Sequence, residues 1–178
     1  MSANTELRRI VDSWNSALGA PRDHYHQVSI KKANGKARQL SIPCARLRKC
    51  QRAILRILTK HGNLDPAAVG GVKGTSPLKH ARSHVGRRFV LTMDLKGFFD
   101  TVHHESVCAA VLRITRDEEL ARALTDFVTF SRCLPQGAPT SMFLGNLVLF
   151  GLDRKLRRLA ARMNARYTRY VDDLAFSS

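Results

Sequence analysis

Two adjacent acids, Asp172 and Asp173, interrupt an apolar, strand-forming run between Tyr167 and Ser178. Aspartate is among the poorest strand formers, so a tight hairpin with both acids at its turn is expected in place of one continuous strand. Neighbouring carboxylates repel each other unless a cation lies between them. The pair is therefore either an exposed turn without a function or part of a metal site.

A third acid, Asp94, ends a largely apolar run that starts at Arg87 and predicts a buried strand. Folds that mix strands and helices often build sites at strand ends, although Asp94 could equally cap the turn that follows. If its strand and the hairpin are neighbours in one sheet, the three acids converge. Mg²⁺ prefers oxygen ligands, and two such ions clamp the attacking and leaving oxygens of a phosphoryl displacement. The residues alone therefore indicate a nucleotidyl transferase or a nuclease.

The composition indicates a polyanionic partner. The 178 residues include 30 Lys and Arg against 14 Asp and Glu, a formal net charge of +16. Such an excess favours nucleic acid first and an anionic membrane surface second. The apolar run 142–152 is too short to span a bilayer. Four cysteines without metal-ligand spacing, in a chain with no signal peptide, predict reduced thiols and a cytoplasmic location.

The elements that position the acids follow from periodicity and turn signals. Apolar residues at helical spacing, with Gly62 after one such segment and a capping box at 115–118, predict several amphipathic helices. Asn34-Gly35 predicts a hairpin turn. The expected helices are 4–18, 45–61, 76–84, 104–113, 115–130 and 140–164, and the expected strands are 24–30, 37–42, 87–94 and 167–178.

Two basic surfaces accompany these elements. The hairpin carries four cations close to its tip, which either keep an edge solvated or grip phosphates. The outward face of the 45–61 helix is also basic, and it contacts either a nucleic-acid backbone or solvent. The hairpin cations are Lys31, Lys32, Lys36 and Arg38.

Four blocks, which follow one another along the chain in the order and at the intervals of the family, resemble the bacterial reverse transcriptases, above all the retron type, with group II intron and defence-associated enzymes as relatives. A further segment, 76–86, resembles a stretch found in retron-type enzymes before the acidic strand. The blocks are the Tyr-x-Asp-Asp signature at Tyr170–Asp173, the acidic block 89–100, the loop-to-helix block 135–141 and the fingers ribbon 30–43.

The resemblance implies an α+β, right-hand polymerase fold with an antiparallel palm sheet backed by helices. Residues 1–87 would form the fingers, with an N-terminal helix, the basic hairpin and further helices. Residues 88–178 would form the palm, and helices within 104–140 would contribute to the fingers. The thumb is expected to be absent from this chain, so the isolated chain is expected to extend a primer weakly or not at all.

The same resemblance implies the catalytic residues. Asp94, Asp172 and Asp173 would hold two Mg²⁺ ions, for which Mn²⁺ could substitute, and the Leu95 carbonyl would be a further ligand. Asp172 would be the stronger ligand of its pair.

Nucleotide and nucleic-acid contacts are implied as well. Arg38, with Lys32 or Lys36, would hold the triphosphate, because the guanidinium fork suits bidentate phosphate contact. Phe99 would exclude a 2′-hydroxyl and so favour dNTPs, while one of the rings at 98 and 99 belongs to the core. The remaining contacts would be Gln136 and Gly137 against the nucleotide, and Arg48, Arg52 and Tyr170 on the nucleic acid.

The implied function is RNA-directed DNA polymerisation, in which a primer hydroxyl attacks a dNTP by two-metal transfer. Its partners would be an RNA template, an RNA or DNA primer and dNTPs, with no membrane. Retron-type members make RNA-linked DNA in phage defence, with a structured non-coding RNA and an effector protein. One alternative is a non-catalytic RNA-binding module, or a fragment that needs a second chain. The other is a metal nuclease, which would have no use for Phe99 or Arg38.

Overall fold

A computed structural model of the protein describes residues 2–31, 35 and 37–178. Helices and strands are mixed along the chain, and a short 3-10 helix (Pro21–His24) precedes the first strand. The elements are α1 (Ala3–Asn15), β1 (Tyr25–Lys31), β2 (Ala37–Pro43), α2 (Ala45–His61), α3 (Pro77–Arg82), β3 (Val90–Asp94), α4 (Phe98–Thr101), α5 (His104–Thr115), α6 (Glu118–Val128), α7 (Ser141–Arg162), β4 (Arg166–Tyr170) and β5 (Asp173–Ser177).

The strands form two antiparallel sheets. Strands β1 and β2 pair as a hairpin from Tyr25 opposite Pro43 to Lys31 opposite Ala37. The second sheet has the order β3-β5-β4, so the strand that ends in Asp94 lies beside the C-terminal hairpin. The α+β class and the antiparallel sheet backed by helices are therefore confirmed. The expected Asn34-Gly35 turn includes positions outside the described residues.

The prediction that the first acidic strand is buried is wrong. Strand β3 lies at the edge of its sheet, and Val90, Leu91 and Met93 are 53%, 58% and 52% exposed. The apolar, β-branched run does predict a strand, as its composition requires. An edge strand and a central strand share this composition, so the sequence does not reveal which of them a run will become.

A large helical core and a smaller second cluster support the two sheets. Buried apolar side chains of α1, α2, α5, α6 and α7 pack together, with the Trp14 ring edge-on to the Phe127 ring at 5.5 Å between centroids. Helix α7 reaches from this core, through Leu144, to a smaller cluster beneath the second sheet, through Ala160. Its apolar first half and basic second half match the prediction. No helix among the described residues is long and apolar enough to cross a membrane.

Several helix boundaries differ from the expected ones. Helix α1 ends at Asn15, helix α3 ends at Arg82, and the short helix α4 was not expected. The proposed capping box is wrong, because Thr115 is the last residue of α5. Asp117 is the N-cap of α6, and its carboxylate accepts a hydrogen bond from the Leu120 amide. A short acidic side chain caps a helix start well, so Asp117 takes the role expected of the threonine.

Candidate active site

The three acids meet at one end of the β3-β5-β4 sheet. Tyr170 pairs with Asp173 across a two-residue turn, and Asp94 is the cross-strand partner of Asp173. Side chains of directly opposite residues lie on the same face, with Cβ atoms about 4.5–5.5 Å apart. The Leu95 amide donates a 2.9 Å hydrogen bond to the Asp172 carbonyl, which ties the turn to the end of β3. We refer to Tyr170–Asp173 as the acidic turn.

Desolvation and electrostatic repulsion both oppose ionisation of Asp173. The pKa of Asp173 is raised, first by partial burial of its carboxyl and then by the charges of Asp172 and Asp94, while His80 acts in the opposite direction. A raised carboxyl pKa means that the anion is held at a cost, and a bound cation would remove that cost.

The donor set suits Mg²⁺ or Mn²⁺ better than a softer metal, because its members are carboxylate oxygens and one carbonyl. Within the described residues, no three His, Cys, Asp or Glu side chains are already grouped around one point. Mg²⁺ keeps several waters and completes its shell with substrate phosphates, so an open set of oxygens still fits it. The Leu95 carbonyl already accepts a hydrogen bond from the Phe98 amide and has a second lone pair for a ligand.

The acidic turn has an unusual backbone. Val171 has φ of +60°, a region that β-branched residues rarely adopt. The backbone of Gly70 lies directly behind it, since a Cβ on Gly70 would be 2.3 Å from the Val171 nitrogen. At the first residue of the turn, the Tyr170 ring stacks on the His80 ring with 5.8 Å between centroids. The turn is thus enclosed by residues from two other segments of the chain.

A fully buried ion pair lies beneath the acidic turn. Arg169 and Asp153 are both 0% exposed, and the guanidinium donates to both carboxylate oxygens. Neither residue was among those predicted from the sequence. The available signal was Asp153, a single acid within the apolar part of α7, at a position where a buried carboxylate requires a partner.

A second group of predicted residues lies on the basic hairpin and the loop before α7. The Gln136 carbonyl accepts a 2.8 Å hydrogen bond from the Ser41 amide on β2. Gly137 has φ of +116° and packs against Ser41, where a Cβ would meet the Ser41 carbonyl oxygen at 3.3 Å. Arg38 lies three residues before Ser41 and is exposed. Lys32 and Lys36 lie outside the described residues.

The structure separates the two adjacent phenylalanines. Phe98 is buried and packs beneath Gly145 of α7, whereas Phe99 is half-buried at the edge of the core. The two rings contact each other with 5.1 Å between centroids. Phe98 is therefore the core residue of the pair, and Phe99 is the ring with a free surface.

The basic face of α2 is exposed, as the sequence predicted for most of its members. Arg52 is exposed, while Arg48 is half-buried and donates to the Pro43 carbonyl at 3.2 Å. Both line a shallow basic concavity with Lys49 and Arg56. This helix thus offers several cations on one surface, and Arg48 also stabilises the end of β2.

Comparison with known proteins gives consistent matches. A family model described as reverse transcriptase (RNA-dependent DNA polymerase) matches residues 30–178. The chain is 38% identical over 182 residues to the retron Mx65 reverse transcriptase of Myxococcus xanthus, covering 90% of this chain and 43% of that protein. It is 30% identical over 156 residues to the retron Ec86 reverse transcriptase of Escherichia coli, covering 86% of this chain and 49% of that protein.

A solved structure shows the same fold. Apo telomerase from Candida tropicalis, truncated from its C-terminal domain, superposes with a TM-score of 0.60 at 10% sequence identity. The match covers 98% of this chain and 48% of that chain. The chain thus spans less than half the length of the proteins described here.

Proposed function

Because this chain belongs to the reverse transcriptase family, we propose that it supplies the fingers and palm of an RNA-directed DNA polymerase. The observation that carries the proposal is the pairing of Asp94 with Asp173 beside the acidic turn, inside the segment that matches the family. Residues 1–87 would be the fingers and 88–178 the palm, with helices of 104–140 contributing to the fingers.

The proposed roles follow the geometry of the site. Asp94, Asp172 and Asp173, with the Leu95 carbonyl, would hold two divalent ions. When bound, such ions lower the pKa of an attacking hydroxyl and neutralise charge on the leaving pyrophosphate. The chain itself holds the carboxylates in register, so that catalysis rests on positioning and charge neutralisation.

The exposed residues around the hairpin would bind the nucleotide. Arg38, with Lys32 or Lys36, would bind the triphosphate, while the Gln136–Gly137 segment packed on β2 would lie against the base pair. The free surface of Phe99 would lie under the sugar and exclude a 2′-hydroxyl. Arg48, Arg52 and Tyr170 would contact template and primer.

Within the family, we propose a retron-type enzyme that makes RNA-linked DNA in phage defence. Support comes from the retron reverse transcriptases among its relatives at 38% and 30% identity. A structured non-coding RNA and an effector protein would then be its partners, beside template, primer and dNTPs. A reducing, cytoplasmic location is part of this proposal, as expected for four cysteines without metal-ligand spacing.

Primer extension tests the proposal. Protein expressed from the complete reading frame, given an RNA template, a DNA primer, dNTPs and Mg²⁺, is expected to extend the primer. Asp172→Asn should reduce the rate by roughly 100-fold or more, as for loss of one strong electrostatic contribution. The control is Asp12→Asn, which removes an exposed acid on α1.

Two outcomes would contradict the proposal. Equal biological output from wild type and Asp172→Asn would favour a non-catalytic RNA-binding module. Metal-dependent degradation of the nucleic acid without any dNTP would favour a nuclease.

A further inference from the structure

We propose that Arg169 is a positioning residue that holds the acidic turn in its strained conformation, and that Asp153 and Asn146 orient Arg169 for this task. The inference rests on the proposed function, since it assigns the residues that hold Asp172 and Asp173 in place. We call Arg169, Asp153 and Asn146 the buried network.

The buried network fixes the guanidinium in one orientation. Arg169 Nε donates to Asp153 Oδ1 at 2.9 Å, and Nη2 donates to Asp153 Oδ2 at 2.6 Å. The Tyr167 hydroxyl donates to the same carboxylate at 2.8 Å. A bidentate pair of this kind sets direction as well as distance. The remaining nitrogen, Nη1, is therefore aimed away from Asp153.

That remaining nitrogen reaches the acidic turn. Arg169 Nη1 donates to the Val171 carbonyl at 2.6 Å and to Asn146 Oδ1 at 3.0 Å. A charge-assisted hydrogen bond is among the stronger protein hydrogen bonds. It is made at the residue whose φ is +60°, so the bond fixes the peptide that leads directly into Asp172.

The same network holds the segment behind the turn. Asn146 Nδ2 donates to the Gly70 carbonyl at 2.7 Å, and the Arg169 amide donates to the Ala67 carbonyl at 2.7 Å. The Val69 amide donates in return to the Arg169 carbonyl at 2.8 Å. The segment 67–70 thus packs against the turn because the backbone and side chain of one arginine bind both.

A purely structural role makes a different prediction from a positioning role. Replacing a buried ion pair by apolar residues of similar volume often leaves stability unchanged or raises it. If the network only filled the core, apolar replacement would be tolerated by the site as well as by the fold. If the network positions the turn, apolar replacement should leave the protein folded but should disturb the arrangement of the acids.

The test uses a double variant, Arg169→Met with Asp153→Leu, in protein from the complete reading frame. Thermal unfolding should stay close to wild type. Affinity for Mn²⁺, measured by titration calorimetry, should fall by about 10- to 100-fold, as for loss of residues that orient metal ligands. Hydrogen exchange of the Leu95 amide, which donates to the Asp172 carbonyl, should accelerate. Arg113→Met is the control, because Arg113, an exposed residue of α5, also donates to a backbone carbonyl, that of Leu147 at 2.7 Å.

A rescue experiment separates positioning from general disruption. Glycine adopts positive φ without steric cost, so adding Val171→Gly to the double variant should recover part of the Mn²⁺ affinity. Unchanged Mn²⁺ affinity and unchanged Leu95 exchange in a stably folded double variant would overturn the inference. If the double variant unfolds, Asn146→Ala provides the second test, with the same two readouts and the same interpretation.

Failure of the proposed polymerase function can be distinguished from failure of the positioning role. Wild-type protein that neither binds Mn²⁺ nor extends a primer would refute the polymerase assignment. Leu95 exchange would still report whether the buried network holds the turn.

Discussion

Two neighbouring carboxylates, those of Asp172 and Asp94, make ionisation of Asp173 less favourable. Asp173 is next to Asp172 along the chain and opposite Asp94 across the sheet. Clustered carboxylates that bind a cation often destabilise the fold when the cation is absent. Stability and metal binding should therefore respond in opposite directions to the loss of one charge.

Asp173→Asn is expected to raise thermal stability in the absence of divalent metal, because it removes the charge repelled by two neighbouring carboxylates. The same substitution should weaken Mn²⁺ binding, since one anionic ligand is lost. Calorimetric unfolding with and without Mn²⁺ measures both effects. Asp100→Asn is the control, because Asp100 is also exposed near this end of the sheet and is outside the acidic turn. Lower stability of Asp173→Asn in metal-free buffer would contradict the explanation.

Single residues were predictable where their chemistry broke a local pattern. Asp172 and Asp173 stand out because acids rarely interrupt a strand. Arg169 does not stand out, since an arginine on a strand is usually solvated and its partner Asp153 lies sixteen positions earlier on a helix. The left-handed backbone of Val171 gives no sequence signal at all, because valine is among the residues least suited to it.

At the scale of elements, α7 joins the helical core to the palm sheet. Its two glycines have opposite surroundings. A Cβ on Gly145 would lie 2.8 Å from the buried Phe98 ring, whereas a Cβ on Gly151 would meet nothing within 4 Å. One glycine is required by close packing, and the other only lowers helix propensity.

The glycine pair gives a test with opposite signs in one helix. Gly145→Ala should destabilise the protein by about 1–3 kcal/mol, because the Phe98 ring must move within a packed core. Gly151→Ala should stabilise it by roughly 0.5–1 kcal/mol through helix propensity. Urea unfolding measures both free energies. Equal effects of the two substitutions would show that α7 does not pack on α4 as described.

The segment after α3 is joined to the palm sheet by a buried histidine. His84 Nδ1 bonds the Ser177 hydroxyl and Nε2 bonds the Thr168 hydroxyl, each at 2.7 Å. Its pKa is lowered from 6.5, first by burial and then by the neighbouring His80, Arg166 and Arg87. The neutral ring therefore holds β4 and β5 against this segment.

Acid is expected to weaken this junction. The folded pKa of His84 is below the unfolded value, so unfolded chains bind the proton at a higher pH than folded ones do. The contribution of His84 is fully present above about pH 6.5 and is lost as pH falls through the lowered folded pKa. His84→Gln should reduce the loss of stability between pH 7 and pH 5 in urea unfolding. An unchanged pH profile would show that other groups cause it.

At the scale of the whole molecule, the net charge of +16 dominates association with polyanions. Binding to nucleic acid should weaken with a slope of about −0.9 in log affinity against log salt for each phosphate contacted in a duplex. The exposed basic face of α2 is one surface from which such contacts would come.

Salt titration of nucleic-acid binding tests this face. Arg52→Gln should weaken binding at low salt and reduce the slope by roughly one, as for the loss of one phosphate contact. Arg122→Gln is the control, because Arg122 is exposed on α6 and already paired with Glu118 at 2.5 Å. If both substitutions leave the slope equal to that of wild type, α2 does not contact the backbone.

The fold was largely predictable because the local sequence indicates most of the helices and strands. The helices of the core follow from apolar spacing, and the C-terminal hairpin follows from two acids in a strand-forming run. The relations between distant elements were less accessible. From the residues alone, the pairing of β3 with β5 could be stated only as a condition, and the burial of β3 was predicted wrongly, since both depend on contacts over about eighty residues.

Strand β3 also determines how these residues should behave at high concentration. Its outer backbone amides and carbonyls face away from β5, and its apolar side chains are exposed on both faces. An uncovered strand of this kind is a template for pairing with any other extended segment. A protein made of residues 1–178 should self-associate as its concentration rises. Leu91→Lys should raise the concentration at which self-association is first seen by light scattering.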